Sequence, residues 1–314
     1  MTATPSPEAP TTAALPSTSA SARASVSPSR LSVSIVLFDS DLGLFRQTVD
    51  ALAIAIRHAT DAGLAGDVRI AIIDNNGPEG SRNDEQWDPG VATRAVVPRA
   101  HWRRISGQGN VGFGRGHNVA LLDRTTTGDF HLVLNPDAPL ADDALTVALQ
   151  WMAQAPDSAL VAPNARTDDD APLFLCKRYP DAFTLFLRAA APRRVRRWFA
   201  GRLARYELRD VVGANGEKQA RDVPLASGCC MVLRTAALDA IDGVGGFDPS
   251  FFVYFEDYDL SLRIARGGRW HIDYLPDMKL VHFGGHAAKK SWAHVRMFAA
   301  GAIRFFNKHG WKLV

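Results

Sequence analysis

Short apolar runs alternate along the chain with stretches in which apolar residues recur every three or four positions. Ser32-Val-Ser-Ile-Val-Leu-Phe38 is the first run, and its length and branched side chains predict a buried strand. From about Leu42 to Ala59 the period becomes helical. Arg69-Ile-Ala-Ile-Ile73 predicts a second strand, which ends in Asp74-Asn-Asn-Gly77. Residues 77–99 are polar with Gly and Pro and read as loop. Trp102–Ile105 predicts a short strand, followed by a glycine-rich turn and a helix near His117–Arg124. His131-Leu-Val-Leu134 predicts another buried strand, ending in Asn135-Pro-Asp137. Ala141–Gln154 then reads as helix and Ala159–Pro163 as strand. Strands alternating with helices predict an α/β sheet covered on both faces.

Beyond residue 165 the rhythm changes. Residues 166–180 read as loop, and Phe183–Tyr206 as a basic helix. Val223–Arg234 and Arg269–Phe283 carry short strands, and Ser291–His309 is a long final helix. The chain divides there into a first part over 31–165 and a second over 166–314. Residues 1–30 are rich in Ala, Ser, Thr and Pro, lack the apolar core of a secretory signal, and predict a disordered tail. No run of about 18 apolar residues exists, so no membrane-spanning helix is expected.

Composition narrows the function only slightly. The chain has 314 residues, 46% hydrophobic and 22% charged, enough to bury a sizeable core. A net charge of +3 is too mild to imply nucleic acid. Three cysteines, Cys176, Cys229 and Cys230, lack metal-site spacing and favour a reducing, cytoplasmic setting.

The candidate chemistry lies where strands end and in two motifs. Asp39, Asp74, Asn75, Asn135 and Asp137 follow strands, where ligands bind in open α/β sheets and where turns also begin. Gly107-Gln-Gly109-Asn-Val-Gly112 matches a dinucleotide-binding pattern, but it comes after several elements, and Asp129 precedes a strand instead of ending one. That match raises an NAD-dependent oxidoreductase as a competing reading. Phe251-Phe-Val-Tyr-Phe-Glu-Asp-Tyr-Asp-Leu-Ser-Leu-Arg263 sets three carboxylates among aromatics, which demands a partner or a reaction for them. Acidic residues opening a helix satisfy the same pattern by complementing its dipole.

In order, S-I-V-L-F-D, I-I-D-N-N-G, G-N-V-G-F-G-R-G-H-N, L-V-L-N-P-D, S-G-C-C-M-V-L-R, G-G-F-D-P-S-F-F-V-Y-F-E-D-Y-D-L-S-L-R and L-V-H282 resemble a family 2 glycosyltransferase with the GT-A fold. The likeness runs from about Ser32 to Trp311 and is greatest to bacterial rhamnosyltransferase-type members. It implies a single Rossmann-like nucleotide-sugar-binding domain with a mixed central sheet and acceptor-side helices toward the C-terminus, 31–165 being the nucleotide-sugar half and 166–314 the acceptor and catalytic half. It also implies inverting transfer of a sugar, L-rhamnose from dTDP-rhamnose or a hexose from a UDP-sugar, to a saccharide hydroxyl in cell-surface polysaccharide synthesis. Asp257 would be the general base. Asp137 would hold a divalent cation, Mg²⁺ or Mn²⁺, with His282 as a further ligand. Asn135 stands where the common D-x-D motif has its first Asp. Phe38, Asp39, Asp74, Asn76, Gly109, Asn110, Gly112, Asn118 and Asn135 would line the nucleotide sugar, with Arg115 a weaker candidate. Glu256, Asp259 and Trp292 would meet the acceptor, and Lys289 and Lys290 a phosphate; Asp259 would alternatively cap its helix. A retaining hydrolase is disfavoured because it needs two opposed carboxylates about 5 Å apart. A binding protein that keeps the fold without the catalysis is the reading from another class.

The segment Arg188–Arg205 holds seven arginines and no acid. Val195, Phe199, Leu203 and Tyr206 form an apolar stripe with Trp198 beside it. This is the pattern of a helix lying on an anionic membrane surface, or of a solvated helix packing its stripe on the core. By the resemblance, acceptors of this family are often carried on polyprenyl diphosphate, which would set the segment at the inner face of the cytoplasmic membrane.

Overall fold

The computed structural model describes residues 28–76, 90–241, 243–286 and 292–314. Its centre is a mixed sheet. In chain order the strands are β1 (Ser29–Leu37), β2 (Ala65–Asp74), β3 (Ala100–Ile105), β4 (Phe130–Leu134), β5 (Ser158–Arg166), β9 (Cys230–Arg234) and β10 (His271–Val281). Their spatial order is β10-β5-β9-β4-β1-β2-β3, with the short β6 (Pro172–Leu173) beside β5. Strands β3, β2, β1 and β4 run parallel. β9 is antiparallel to both of its neighbours, β4 and β5. β10 returns parallel to β5. A separate two-stranded piece joins β7 (Cys176–Lys177) to β8 (Leu225–Ala226).

The apolar runs are strands because both faces of this sheet are covered. Every residue of β4 is buried. On one face, Leu31, Val33, Ile35 and Leu37 of β1 pack against Phe45, Val49, Leu52 and Ile56 of α1 (Leu42–Asp61) and against α4 (Ala144–Gln154). Truncating such a residue, as in Leu52→Ala, costs about 2–5 kcal/mol. The other face carries α3 (Phe113–Leu121) and α10 (Glu256–Arg266), with Leu260 and Ile264 against Met231 and Leu233.

On that second face β1 presents Ser32 and Ser34, both buried. They survive burial by hydrogen bonding. Ser32 Oγ lies 2.7 Å from His131 Nδ1, and Ser34 Oγ lies 2.8 Å from His131 Nε2 and 2.7 Å from His117 Nδ1. Burial lowers the pKa of both histidines, His131 to about 3, so the chain is neutral.

Several elements differ from the sequence expectation. The loop over 77–99 contains α2 (Gly90–Val96); residues 77–89 lie outside the described residues. The helix expected near His117 starts at Phe113, because the glycines of the motif lie inside its first turns. The span 166–180 carries two short strands. The basic helix is three: α5 (Ala182–Ala189), α6 (Arg193–Trp198) and α7 (Ala200–Tyr206), with α8 (Arg209–Val212) after it. Pro192, which has no N–H to donate, starts α6. α9 (Thr235–Asp239) follows β9, and α11 (Trp292–His309) ends the fold. Among the described residues no helix is long and apolar enough to cross a membrane.

Candidate active site

The parallel strands β2, β1 and β4 end along one edge of the sheet, and the site is built there. Asn135 continues the ladder past β4 by donating its N–H to Cys229 O at 2.8 Å. Asp137 follows. At the end of β10, His282 comes to the same place, with Nε2 at 3.4 Å from Asp137 Oδ1 and 3.4 Å from Asn135 Nδ2. A Cβ on Gly284 would lie 2.5 Å from Asp137 Oδ2 and 2.8 Å from His282 Nε2, so only a hydrogen fits beside this pair. Burial disfavours a charged His282, but Cys229 and Asp137 outweigh it and raise its pKa to about 10. The pair therefore attracts positive charge, as a proton or as an ion that replaces it.

The helix α10 delivers the second group. Tyr254 and Phe255 both adopt positive φ, 69° and 70°, and swing the chain sharply into the helix. Glu256, Asp257 and Asp259 then lie in the first turn, where the dipole favours negative charge. Asp257 Oδ2 accepts from Gly228 N at 2.9 Å and Oδ1 from Tyr258 N at 2.8 Å. Burial raises the pKa of Asp257. Burial raises Glu256 further, with the Asp257 charge adding to the effect. Glu256 Oε2 has no hydrogen-bond partner among the described residues.

Asp257 and the His282 end of the pair open on one cavity of about 400 Å³. Asn135, His282, Glu256 and Asp257 line it, together with Gly228 and Tyr258. Its far wall comes from α5 and α7, through Arg188 and Tyr206, and from Phe298 of α11.

A further cluster gathers at the ends of β1 and β2. Asp39 N donates to Asn76 Oδ1 at 3.1 Å, and Asn76 donates to Asp74 Oδ1 from its side chain at 2.7 Å. Arg104 Nη2 pairs with Asp74 Oδ2 at 2.7 Å. Burial opposes the charge of Asp74, but Arg104 and Asn76 hold its pKa below the ordinary carboxylate value. Phe38 is exposed beside them. Gln108 Nε2 ties the glycine turn to Asp74 O and Asn75 Oδ1 at 2.8 and 3.2 Å. Gly109, with φ +65°, faces open space, and Asn110 Oδ1 accepts from Gly112 N at 3.1 Å.

The family model described as glycosyltransferase like family 2 matches residues 91–300. This chain belongs to that family. Two curated relatives from strains of Mycobacterium tuberculosis, named as N-acetylglucosaminyl-diphospho-decaprenol L-rhamnosyltransferase, are 24% identical to it over 208 residues. That match covers 63% of this chain and 64% of the relatives, so the chain spans under two thirds of their length. A solved mannosyltransferase from Pyrobaculum calidifontis, in complex with GDP-Man and Mn²⁺, superimposes with a TM-score of 0.54 at 16% identity, over 90% of this chain and 65% of that one. The fold is the GT-A fold of glycosyltransferases.

Within this family member several expected site residues sit elsewhere. Asn118 clamps the backbone of Phe247, donating to its O at 2.7 Å and accepting from its N at 2.9 Å. Asp259 faces away from the cavity and is consumed by Arg263, Lys308 and His309 at 2.8, 2.6 and 2.8 Å. Trp292 stands 83% exposed at the start of α11, outside the cavity lining. Gly112 is closed off, since a Cβ there would lie 2.0 Å from Phe252 O. Arg115 donates to Pro249 O at 2.6 Å. Lys289 and Lys290 lie outside the described residues. Sequence reasoning passed over Gly228, Tyr258, Tyr206 and Arg188 as cavity residues. Gly228 was visible in the S-G-C-C motif, whereas Arg188 was hidden among the arginines that follow it.

Among the described residues there is no group of three or more His, Cys, Asp or Glu that could hold a metal ion. Asp137 and His282 nevertheless fit a divalent ion. Their 3.4 Å separation is near the ~3 Å between adjacent ligands in an octahedron with ~2.1 Å bonds. Such an ion takes its other ligands from phosphate oxygens and water.

Proposed function

We propose that this protein transfers L-rhamnose from dTDP-rhamnose to a hydroxyl of a saccharide carried on polyprenyl diphosphate, with inversion, in cell-surface polysaccharide synthesis. The observation that carries the reading is one cavity shared by the Asp257 carboxylate and the end of the Asp137–His282 pair. The choice of sugar and carrier rests on the names of the mycobacterial relatives.

Asp257 takes the proton from the acceptor hydroxyl as that oxygen attacks the anomeric carbon. The bond from that carbon to the phosphate oxygen breaks, and the nucleoside diphosphate leaves with the electron pair. Gly228 and Tyr258 N–H groups hold the carboxylate in one orientation, so the base is in place before the acceptor arrives. Asp137 and His282 would hold the divalent ion, which when bound offsets the negative charge gathering on the leaving diphosphate. Asp39, Asp74 and Asn76 take the nucleoside, with Gly109, Asn110 and Asn135 nearer the phosphates and sugar. Glu256, buried and with its pKa raised by burial and by the Asp257 charge, contributes a polar group to the acceptor end.

The helix α6 has no buried residue, and Arg193, Arg194, Arg196 and Arg197 make no ion pair among the described residues. Trp198 beside them is 83% exposed. This helix meets the anionic membrane leaflet from which a lipid-linked acceptor is presented.

The test is donor hydrolysis and nucleotide release across dTDP-, UDP- and GDP-sugars, with Mg²⁺, Mn²⁺ or EDTA, in wild type and Asp257→Asn. The expected result is metal-dependent release from dTDP-rhamnose that the variant loses. Release from a UDP-hexose alone would replace the donor. Failure of every sugar nucleotide to bind or react would remove the whole reading.

A further inference from the structure

The wall of the cavity opposite in origin to the strand ends has chemistry of its own. Arg188 lines the cavity from the last turn of α5. Its guanidinium sits 5.2 Å from the centre of the Tyr206 ring. No carboxylate pairs with it among the described residues, whereas Arg178 and Arg202 of the same region are paired with Asp210 and Asp181. Tyr206 OH and Tyr258 OH lie 3.0 Å apart, and both rings line the same cavity. One hydroxyl donates to the other, which leaves one O–H to donate onward. Tyr258 follows Asp257 directly in the chain. A planar, permanently charged fork and a phenol, both on the cavity that Asp257 lines and neither paired with a carboxylate, form a site for an anion.

We infer that Arg188, Tyr206 and Tyr258 form a second anion subsite in this cavity, which takes the diphosphate of the sugar acceptor. The inference rests on the proposed function for the sugar chemistry but not for the anion. The donor diphosphate would have its own place at Asp137 and His282, just past the ends of β4 and β10. The acceptor must come to Asp257, and Tyr258 and Tyr206 are what it meets there. Burial raises the pKa of both phenols, so both stay protonated donors at neutral pH.

The experiment is calorimetric binding of inorganic pyrophosphate to the full chain in EDTA, for wild type, Arg188→Gln, Arg188→Lys and Asp137→Asn, each checked for an unchanged unfolding temperature. Wild type is expected to bind without metal. Arg188→Gln weakens binding about 10- to 100-fold, the worth of a hydrogen bond to a charged group. Arg188→Lys falls between them, since it keeps the charge and loses the fork, and Asp137→Asn still binds. In transfer assays, the preference for a sugar bearing an alkyl diphosphate over its plain alkyl glycoside should fall by the same factor in Arg188→Gln. No metal-free binding, or binding indifferent to Arg188, overturns the inference. So does a rise in the KM of the sugar nucleotide with acceptor preference intact, because that places Arg188 on the donor. Pyrophosphate binding needs no turnover, so it stands or falls separately from the donor assay.

Discussion

Asp257 and Asp259 are two residues apart at the start of one helix, so about 200° separates them around its axis. Asp257 faces the cavity, is held by two N–H groups, and has its pKa raised by burial. Asp259 faces α11, is ringed by Arg263, Lys308 and His309, and is lowered to about 2, because hydrogen bonds from His309 and Lys308 and the Arg263 charge outweigh an equally real burial penalty. Both are carboxylates of the same motif, Asp259 fully buried and Asp257 partly buried against the cavity. The difference is whether cations surround them. No cation is set against Asp257 in the cavity, so it remains a base that can accept a proton near neutral pH. The α11 face supplies cations and yields a fixed charge with no proton chemistry.

The sharpest test of this contrast is Asp257→Asn. Transfer should fall about 10²- to 10⁴-fold with the unfolding temperature little changed. In wild type, the rate should rise with pH as Asp257 loses its proton, at a pH above the usual carboxylate range. Asp259→Asn should reverse the pattern. It removes the buried charge that Arg263, Lys308 and His309 share and should cost about 2–4 kcal/mol in denaturant unfolding, with kcat of the folded fraction near wild type. The native contribution of Asp259 is present above the unfolded carboxylate pKa and is lost as pH falls toward 2. Glu256→Gln should change stability less and with the opposite dependence. A raised pKa means that wild type loses stability as pH climbs above the usual Glu value, so the variant should gain about 1–3 kcal/mol relative to it between pH 5 and pH 9. Neutralising α6 should leave both carboxylates as they are. Arg193, Arg194, Arg196 and Arg197 together changed to Gln should weaken co-sedimentation with anionic vesicles by about 1 kcal/mol per residue and leave transfer to a water-soluble acceptor unchanged.

Much of this was legible in the chain. The buried strands were, because continuous apolar runs such as Phe130–Leu134 have few alternatives. The ends of β1, β2 and β4 were, because polar residues recur there. What Asn118 does was not, since Asn in a glycine-rich motif looks the same whether it holds a ligand or the Phe247 backbone. Asp259 was not separable from Asp257 by motif, because its partners are Arg263 and, about 50 residues away, Lys308 and His309. Arg188 was read with its neighbours as surface charge. Only the turn of the chain before Pro192 separates it from them and sets it in the cavity.

The place of β9 has a consequence for how this molecule is made. It lies between β4 and β5, yet Cys230 is synthesised 96 residues after Leu134. At about 5–20 residues per second, β4 leaves the ribosome with one bare edge for about 5–20 s. An apolar strand with unpaired N–H and C=O groups is a template for the wrong partner during that interval. The nascent chain therefore depends on a chaperone, or on fast production of the residues up to 234, more than its finished sheet would suggest.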